Sequence, residues 1–143
     1  MTIRNTTIAG NAAGENGSPV GLSKGGAIFT TGDSKSKLAM LNCLVAGNTT
    51  AGTNDTVDVQ YAGGVDYCLF DVADDKLGEH SKVGSPGFVN LAKGNCHLTP
   101  SSAAIGIGKW YEEIPEDLDG IRRRRKPAVG CYETRGGTIL ILR

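Results

Sequence analysis

The feature that most constrains this chain is a repeat. Ile3-Arg4-Asn5-Thr6-Thr7-Ile8-Ala9-Gly10-Asn11 returns 37 positions later as Met40-Leu41-Asn42-Cys43-Leu44-Val45-Ala46-Gly47-Asn48. Four of the nine positions are identical, and Ile3/Met40 and Ile8/Val45 exchange one apolar residue for another. A fainter copy, Val65-Asp66-Tyr67-Cys68-Leu69-Phe70, follows the second at a spacing of 25. Self-similarity at a period of tens of residues marks units that cannot bury an apolar face alone and must stack on their neighbours. If the copies lie side by side as parallel strands about 4.8 Å apart, like residues form columns. Ile3, Met40 and Val65 make one, Ile8, Val45 and Phe70 a second, and Thr6, Cys43 and Cys68 a third. Asn5 and Asn42 then meet as a short amide ladder at a bend.

Composition agrees with such a stack. The 143 residues suit one domain. Aromatics are only 6%, so small aliphatic side chains must build the core, and 21 glycines provide for many tight turns between short strands. Helical periodicity over ten or more residues occurs nowhere. The expected fold is all-β: a right-handed parallel β-helix of few coils with an irregular C-terminal cap. A β-sandwich accounts for short strands but not for copies that keep the same residues at stacked positions. A propeller needs more repeats than this length supplies. The expected division is 1–83 for the coils, 84–134 for a capping region of the same domain, and 135–143 for a terminal strand or tail. Within it, 128–133 reads as a closing strand and 138–142 as a last apolar strand.

Fifteen basic and fifteen acidic residues balance, so no global field draws in nucleic acid or an anionic membrane. No run approaches the roughly 18 apolar residues of a membrane-spanning helix. Met1 leads straight into the repeat without an apolar leader. The expectation is therefore that the chain is the tail of a longer protein. Cys43, Cys68, Cys96 and Cys131 lack zinc spacing and read as small buried hydrophobes.

The copies N-T-T-I-A-G-N and N-C-L-V-A-G-N, with the strand G-G-A-I and the later C-L-F, resemble the right-handed parallel β-helix repeats of bacterial surface and secreted proteins. The second half adds an ordered series. Gly84-Ser85-Pro86-Gly87-Phe88-Val89-Asn90 precedes His97-Leu98-Thr99-Pro100 and Ser102-Ala103-Ala104-Ile105. Asp117-Leu118-Asp119-Gly120 with arginines and then Gly130-Cys131-Tyr132-Glu133 follow. This order is similar to the C-terminal end of large bacterial surface proteins that finish in a choice-of-anchor Q domain, over roughly residues 1–134. The chain departs from that pattern at Ala103, where proline is usual, and at Gly106 and Ala128, where acids are usual. The resemblance implies an extracellular or bacterial cell-surface location and a β-helical stalk with a C-terminal cap. It implies no defined chemistry.

Five groups are candidate sites. Asp71, Asp74, Asp75 and Glu79 lie in one loop, without the stacked acids on neighbouring coils that a calcium-dependent lyase cleft needs, and read as solvated. Asp117 and Asp119 before Gly120 are weak calcium candidates, but no further ligand follows at calcium-loop spacing. A turn cap, or a pairing with Arg122 or Arg124, is the simpler reading. Arg122-Arg123-Arg124-Arg125-Lys126 is a run of the kind that binds nucleic acid or heparin. The acids at 112–119 lie directly upstream, so local neutralisation is expected and no nucleic-acid partner is. His97 alternates with Cys96 and Leu98, which puts it on the outer side of a strand and out of reach of Cys96. Trp110 and Tyr111, with Tyr61 and Tyr67, are the ligand-contact candidates, because aromatics on a β-helix face suit sugar rings; plugging of the open coil end is the simpler reading, since large aromatics are highly buried on average.

The expectation from sequence is a non-catalytic C-terminal part of a secreted or cell-surface β-helix protein, serving as stalk, adhesin or carbohydrate-contacting module. The alternative is a fragment of a polysaccharide lyase or glycoside hydrolase of the β-helix class. No catalytic residue and no cofactor is expected. The expected partners are a surface polysaccharide and the rest of a larger parent protein, and an unpaired strand edge offers a route to self-association.

Overall fold

The computed structural model describes residues 1–14, 25–30, 37–50, 53–54, 57–59, 62–75 and 77–134. The chain makes successive short passes. The first holds β1 (Thr2–Arg4), β2 (Thr7–Ala9), β3 (Ala12–Ala13) and β4 (Ile28–Thr30). The second holds β5 (Leu38–Leu41), β6 (Leu44–Ala46), β7 (Thr49–Thr50), β8 (Thr53–Asn54) and β9 (Val57–Val59). β10 (Ala62–Asp66) and β11 (Leu69–Phe70) follow, then β12 (Lys82–Val83), β13 (Phe88–Asn90) and β14 (Asn95–Leu98). The single helical element among the described residues is the 3-10 turn Leu91–Lys93. The fold is all-β with parallel sheets.

Equivalent strands pair in parallel: β1, β5 and β10 form one sheet, and β2, β6, β11 and β12 a second. The repeat sets the register. Ile3 and Val65 both align with Met40, and Ile8 and Phe70 both align with Val45. Met40, Cys43, Val45, Cys68 and Phe70 are fully buried in one cluster, with Ile3 and Ile8 packed against it. Burying each such side chain contributes about 1.5–3 kcal/mol.

Between the two sheets the chain bends at Asn5, Asn42 and Tyr67, all with positive φ (46°, 55° and 52°). Asparagine tolerates this left-handed conformation better than most residues. The bend residues do not form the expected ladder. Both amide ends of Asn42 bond the backbone of Lys109, Nδ2 to its carbonyl at 2.6 Å and Oδ1 from its N–H at 2.8 Å. Asn5 Oδ1 is buried without a hydrogen-bond partner among the described residues. The amide ladder stands one strand further on, where Asn11 Nδ2 donates to Asn48 Oδ1 at 2.9 Å. Asn48 Nδ2 in turn reaches Ile8 O at 2.9 Å.

Residues 84–134 lie against the outer face of the second sheet. Leu44, Leu69, Ala104 and Val129 are buried together there, with Phe88, Leu98 and Ile107 packed on them. At the next turn Leu91 packs over Gly10 and Gly47, and a Cβ on Gly47 would come within 2.9 Å of it. Among the described residues no strand pairs with the far edge of β12, where Val83 is 51% exposed.

The segment 128–133 is not a strand. Its N–H groups serve five different partners: Ala128 bonds the Glu133 carboxylate, Val129 bonds Ala104 O, Gly130 bonds Asn42 O, Cys131 bonds Thr7 Oγ1 and Glu133 bonds Asp117 Oδ2. This irregular path is a seam between the sheet and the rest of the C-terminal region. Residues 138–142, read as a last strand, lie outside the described residues, as does the tail 135–143.

Candidate functional site

The outer positions of the first sheet form the column Arg4, Leu41 and Asp66. Segment 109–113 is pinned beside it by the two Asn42 bonds to Lys109. Arg4 lies over the ring of Tyr111, 5.0 Å from its centroid, and its Nη1 reaches Glu113 Oε1 at 2.8 Å. Lys109 Nζ is 5.9 Å from the centroid of Tyr67. Tyr67 stacks on His80 at 4.4 Å with the rings 2° apart. Tyr111 and Tyr67 thus share one face, and His80 extends it by one pass.

Asp66 organises its lower end. Its Oδ1 accepts the N–H groups of Tyr67 and His80, both at 2.9 Å, and its Oδ2 faces His80 Nδ1 at 2.9 Å. Gly78 permits the approach, since a Cβ there would sit 2.8 Å from Asp66 Oδ1. Burial pushes the Asp66 carboxyl up, but the bond to the His80 ring, the two N–H bonds and the His80 charge outweigh it and hold the carboxyl below its usual range. Beside this pair lies an open cleft of about 380 Å³ lined by Tyr67, Glu79, His80, Lys82 and Lys126. Asp66 and His80 were missed as a pair in the sequence. The available signal was that Asp66 occupies the position of Arg4 and Leu41 in the third copy.

Trp110 points elsewhere. It lines a second cleft of about 500 Å³ with Arg122, Arg123 and Arg125. Arg123 is only 5% exposed. Its Nε, Nη1 and Nη2 donate to the carbonyls of Glu116, Ala128 and Gly130 at 3.3, 3.2 and 3.0 Å. Burial pulls its guanidinium pKa down, with Glu133 and Asp117 opposing. Glu133, itself buried, caps Ala128 N through both carboxylate oxygens at 3.3 and 3.1 Å. The sequence candidates Trp110 and Tyr111 are therefore adjacent in the chain but belong to different surfaces.

The Asp117–Asp119 turn is built by backbone bonds. Asp117 Oδ1 accepts the N–H groups of Asp119 and Ile121 at 2.9 and 2.7 Å, and Oδ2 accepts that of Glu133 at 2.7 Å. Asp119 Oδ2 faces His97 Nε2 at 2.8 Å, rather than Arg122 or Arg124. His97 Nδ1 meets Asn95 Oδ1 at 2.7 Å, and the ring stacks on Tyr132 at 4.0 Å. No three histidines, cysteines or acids converge on a cation position among the described residues. In the earlier acidic loop, Asp71 Oδ2 accepts Gly47 N–H at 2.6 Å, which ties that loop to the glycine bend above it.

Tyr61 lies outside the described residues. No helix among the described residues is long and apolar enough to cross a membrane. No protein-family model matches this chain, and no curated protein or solved structure matches it.

Proposed function

We propose that this chain is a right-handed parallel β-helix, the non-catalytic C-terminal part of a secreted or bacterial cell-surface protein, and that it contacts carbohydrate. The parallel, in-register sheets support the β-helix, and the near-universal right-handedness of crossovers between parallel strands supports the hand. The location follows from the resemblance to surface-protein repeats and to the choice-of-anchor Q pattern. The observation that carries the contact role is the strip of Tyr111, Tyr67 and His80 along one face, flanked by Arg4, Lys109 and Asp66. Tyr67 adds to it. Its left-handed backbone costs on the order of 1–3 kcal/mol, and the two earlier copies place asparagine at the same bend. An aromatic at a strained, partly exposed bend suits a binding surface better than a purely structural one.

The alternative is a fragment of a β-helix lyase or glycosidase, favoured by one observation, the Asp66–His80 pair beside Glu79 in an open cleft. Against it stands the outer face of the second sheet, where Leu44 and Leu69 are covered by Ala104 and Val129. A cleft across stacked strands is filled there by apolar packing. Cleavage assays on pectin-like polymers, with and without calcium, separate the two readings. Binding without turnover, weakened by Tyr67→Ala and Tyr111→Ala, is the expected result. Turnover abolished by Asp66→Asn would establish the enzyme instead.

A further inference from the structure

We infer that the cleft between Trp110 and the 122–125 loop is a site for an acidic saccharide, one carrying carboxylates on pyranose rings. The inference rests on the carbohydrate-contacting reading and names its ligand class. The cleft holds about 500 Å³, within the roughly 300–1,000 Å³ of small-ligand sites. Its described walls are one indole and three guanidinium-bearing side chains, with no carboxylate among them.

The three arginines divide into two kinds. Arg123 is buried, and its three carbonyl bonds fix the loop from beneath. Arg122 and Arg125 are exposed on that fixed loop, and neither has an acidic partner among the described residues. Three of the nearby acids are engaged elsewhere: Glu113 with Arg4, Asp119 with His97 and Asp117 with backbone N–H groups. Glu116 lies across an antiparallel bridge from Arg122, but no ion pair among the described residues joins them, so both guanidinium groups keep donors to offer a ligand. Two free guanidinium groups beside an indole form a composite surface. The indole takes the C–H face of a pyranose ring, and a planar guanidinium takes a carboxylate in two parallel bonds. A neutral sugar would use only the first, and a small inorganic anion only the second.

A nucleic acid also combines rings with anions, but the surroundings disfavour it. A strand-binding groove needs several aromatic platforms along a continuous basic track. Here one indole is available.

Trp110 is the only tryptophan, so its emission reports on this cleft directly. The experiment titrates the full chain with a galacturonate hexamer, a maltose-series hexamer and a single-stranded hexadeoxynucleotide, following Trp110 emission and heat of binding. The galacturonate is expected to give a saturable change that weakens with salt. Arg122→Ala and Arg125→Ala should each weaken it about tenfold or more, the loss expected for one charge-assisted contact, with the unfolding midpoint unchanged. Binding of the neutral hexamer with equal affinity, unaffected by either arginine variant, would overturn the cleft while leaving the carbohydrate-contacting reading intact. Tighter binding of the oligonucleotide than of the galacturonate overturns it in favour of nucleic acid. No heat and no emission change with either saccharide overturns both readings.

Discussion

Thr7 Oγ1 accepts the backbone N–H of Cys131 at 3.1 Å, joining residues 124 positions apart. It closes the seam between the first pass of the stack and the end of the described chain. The fit leaves no space: a Cβ on Gly130, whose φ is +92°, would sit 2.5 Å from the same oxygen and 3.1 Å from Leu44 Cβ.

Thr7→Val removes the acceptor and leaves the Cys131 N–H without it, so the chain should lose about 1–3 kcal/mol in denaturant unfolding. Thr7→Ser keeps the hydroxyl and should lose clearly less. Gly130→Ala should cost more than about 1 kcal/mol, because φ is positive as well as crowded. In the Thr7→Ala, Gly130→Ala double variant the crowding oxygen is gone. The two losses should then fall short of additivity by about 0.5 kcal/mol or more. Strict additivity would show that the contact is not made.

At Asn42, side chain and backbone make separable demands. Asn42→Ala removes both bonds to Lys109 and keeps a Cβ at φ 55°, whereas Asn42→Gly removes the same bonds and relieves the backbone. Alanine should therefore be worse than glycine by about 1 kcal/mol, and both worse than the parent by about 2 kcal/mol or more. Equal stability of the two variants would show that the left-handed bend at residue 42 imposes no strain on a side chain.

Leu44 tests whether the two layers unfold together. It is fully buried between the second sheet and the 84–134 region. Leu44→Ala should cost about 2–5 kcal/mol and shift one transition seen equally by far-ultraviolet circular dichroism and Trp110 emission. Val83→Ala, on the edge strand β12, should stay within about 0.5 kcal/mol of the parent. Two separate transitions in Leu44→Ala would mean that the C-terminal region folds without the stack.

What the sequence made legible was the inner side of the strands. Equal spacing of like residues is enough to pair Ile3 with Met40 and Val65 with Met40, because a slip of one position would turn every side chain to the other face. The outer side was not legible. Leu44 and Leu69 alternate with core residues whether water or a second layer covers them, and only the structure places Ala104 and Val129 there. For the same reason 128–133 read as a strand: its residues are apolar enough for one, but its N–H groups answer to five separate partners. The candidate sites show the same limit. Trp110 and Tyr111 were legible as aromatics in a loop. Their divergence depends on Asn42 gripping Lys109 from 67 positions away, which no local pattern encodes.

Asp66 gives the stack a dependence on acid. Its folded pKa is depressed, so its contribution to stability is fully present above the unfolded value of about 3.9 and is lost as pH falls through the folded value. Asp66→Asn cannot titrate. The stability difference between parent and variant should shrink as pH falls below about 4. Unfolding free energies measured from pH 2 to 7 check this, and a difference that does not change across the range would exclude the linkage.

The third column carries a prediction about thiols. Cys43 N–H donates to Cys68 Sγ at 3.4 Å, and Cys68 N–H donates to Ser81 Oγ at 3.1 Å. The side chains also reach back along their own strands, Thr6 Oγ1 to Arg4 O at 2.7 Å and Cys68 Sγ to Asp66 O at 3.2 Å. The hydrogen bond to Cys43, together with burial, pushes the Cys68 thiol pKa strongly up, so a reactive thiolate is disfavoured there. Cys43 and Cys68 should resist a thiol reagent until the whole chain unfolds, while the half-buried Cys96 and Cys131 react in the native state. Rapid labelling of Cys43 or Cys68 with the sheet signal intact would contradict the ladder. Ser81 already shows that a hydroxyl serves this column, so Cys68→Ser keeps an acceptor for Cys43 N–H. Cys68→Ala leaves that N–H without it, and should be the less stable of the two by about 1–3 kcal/mol.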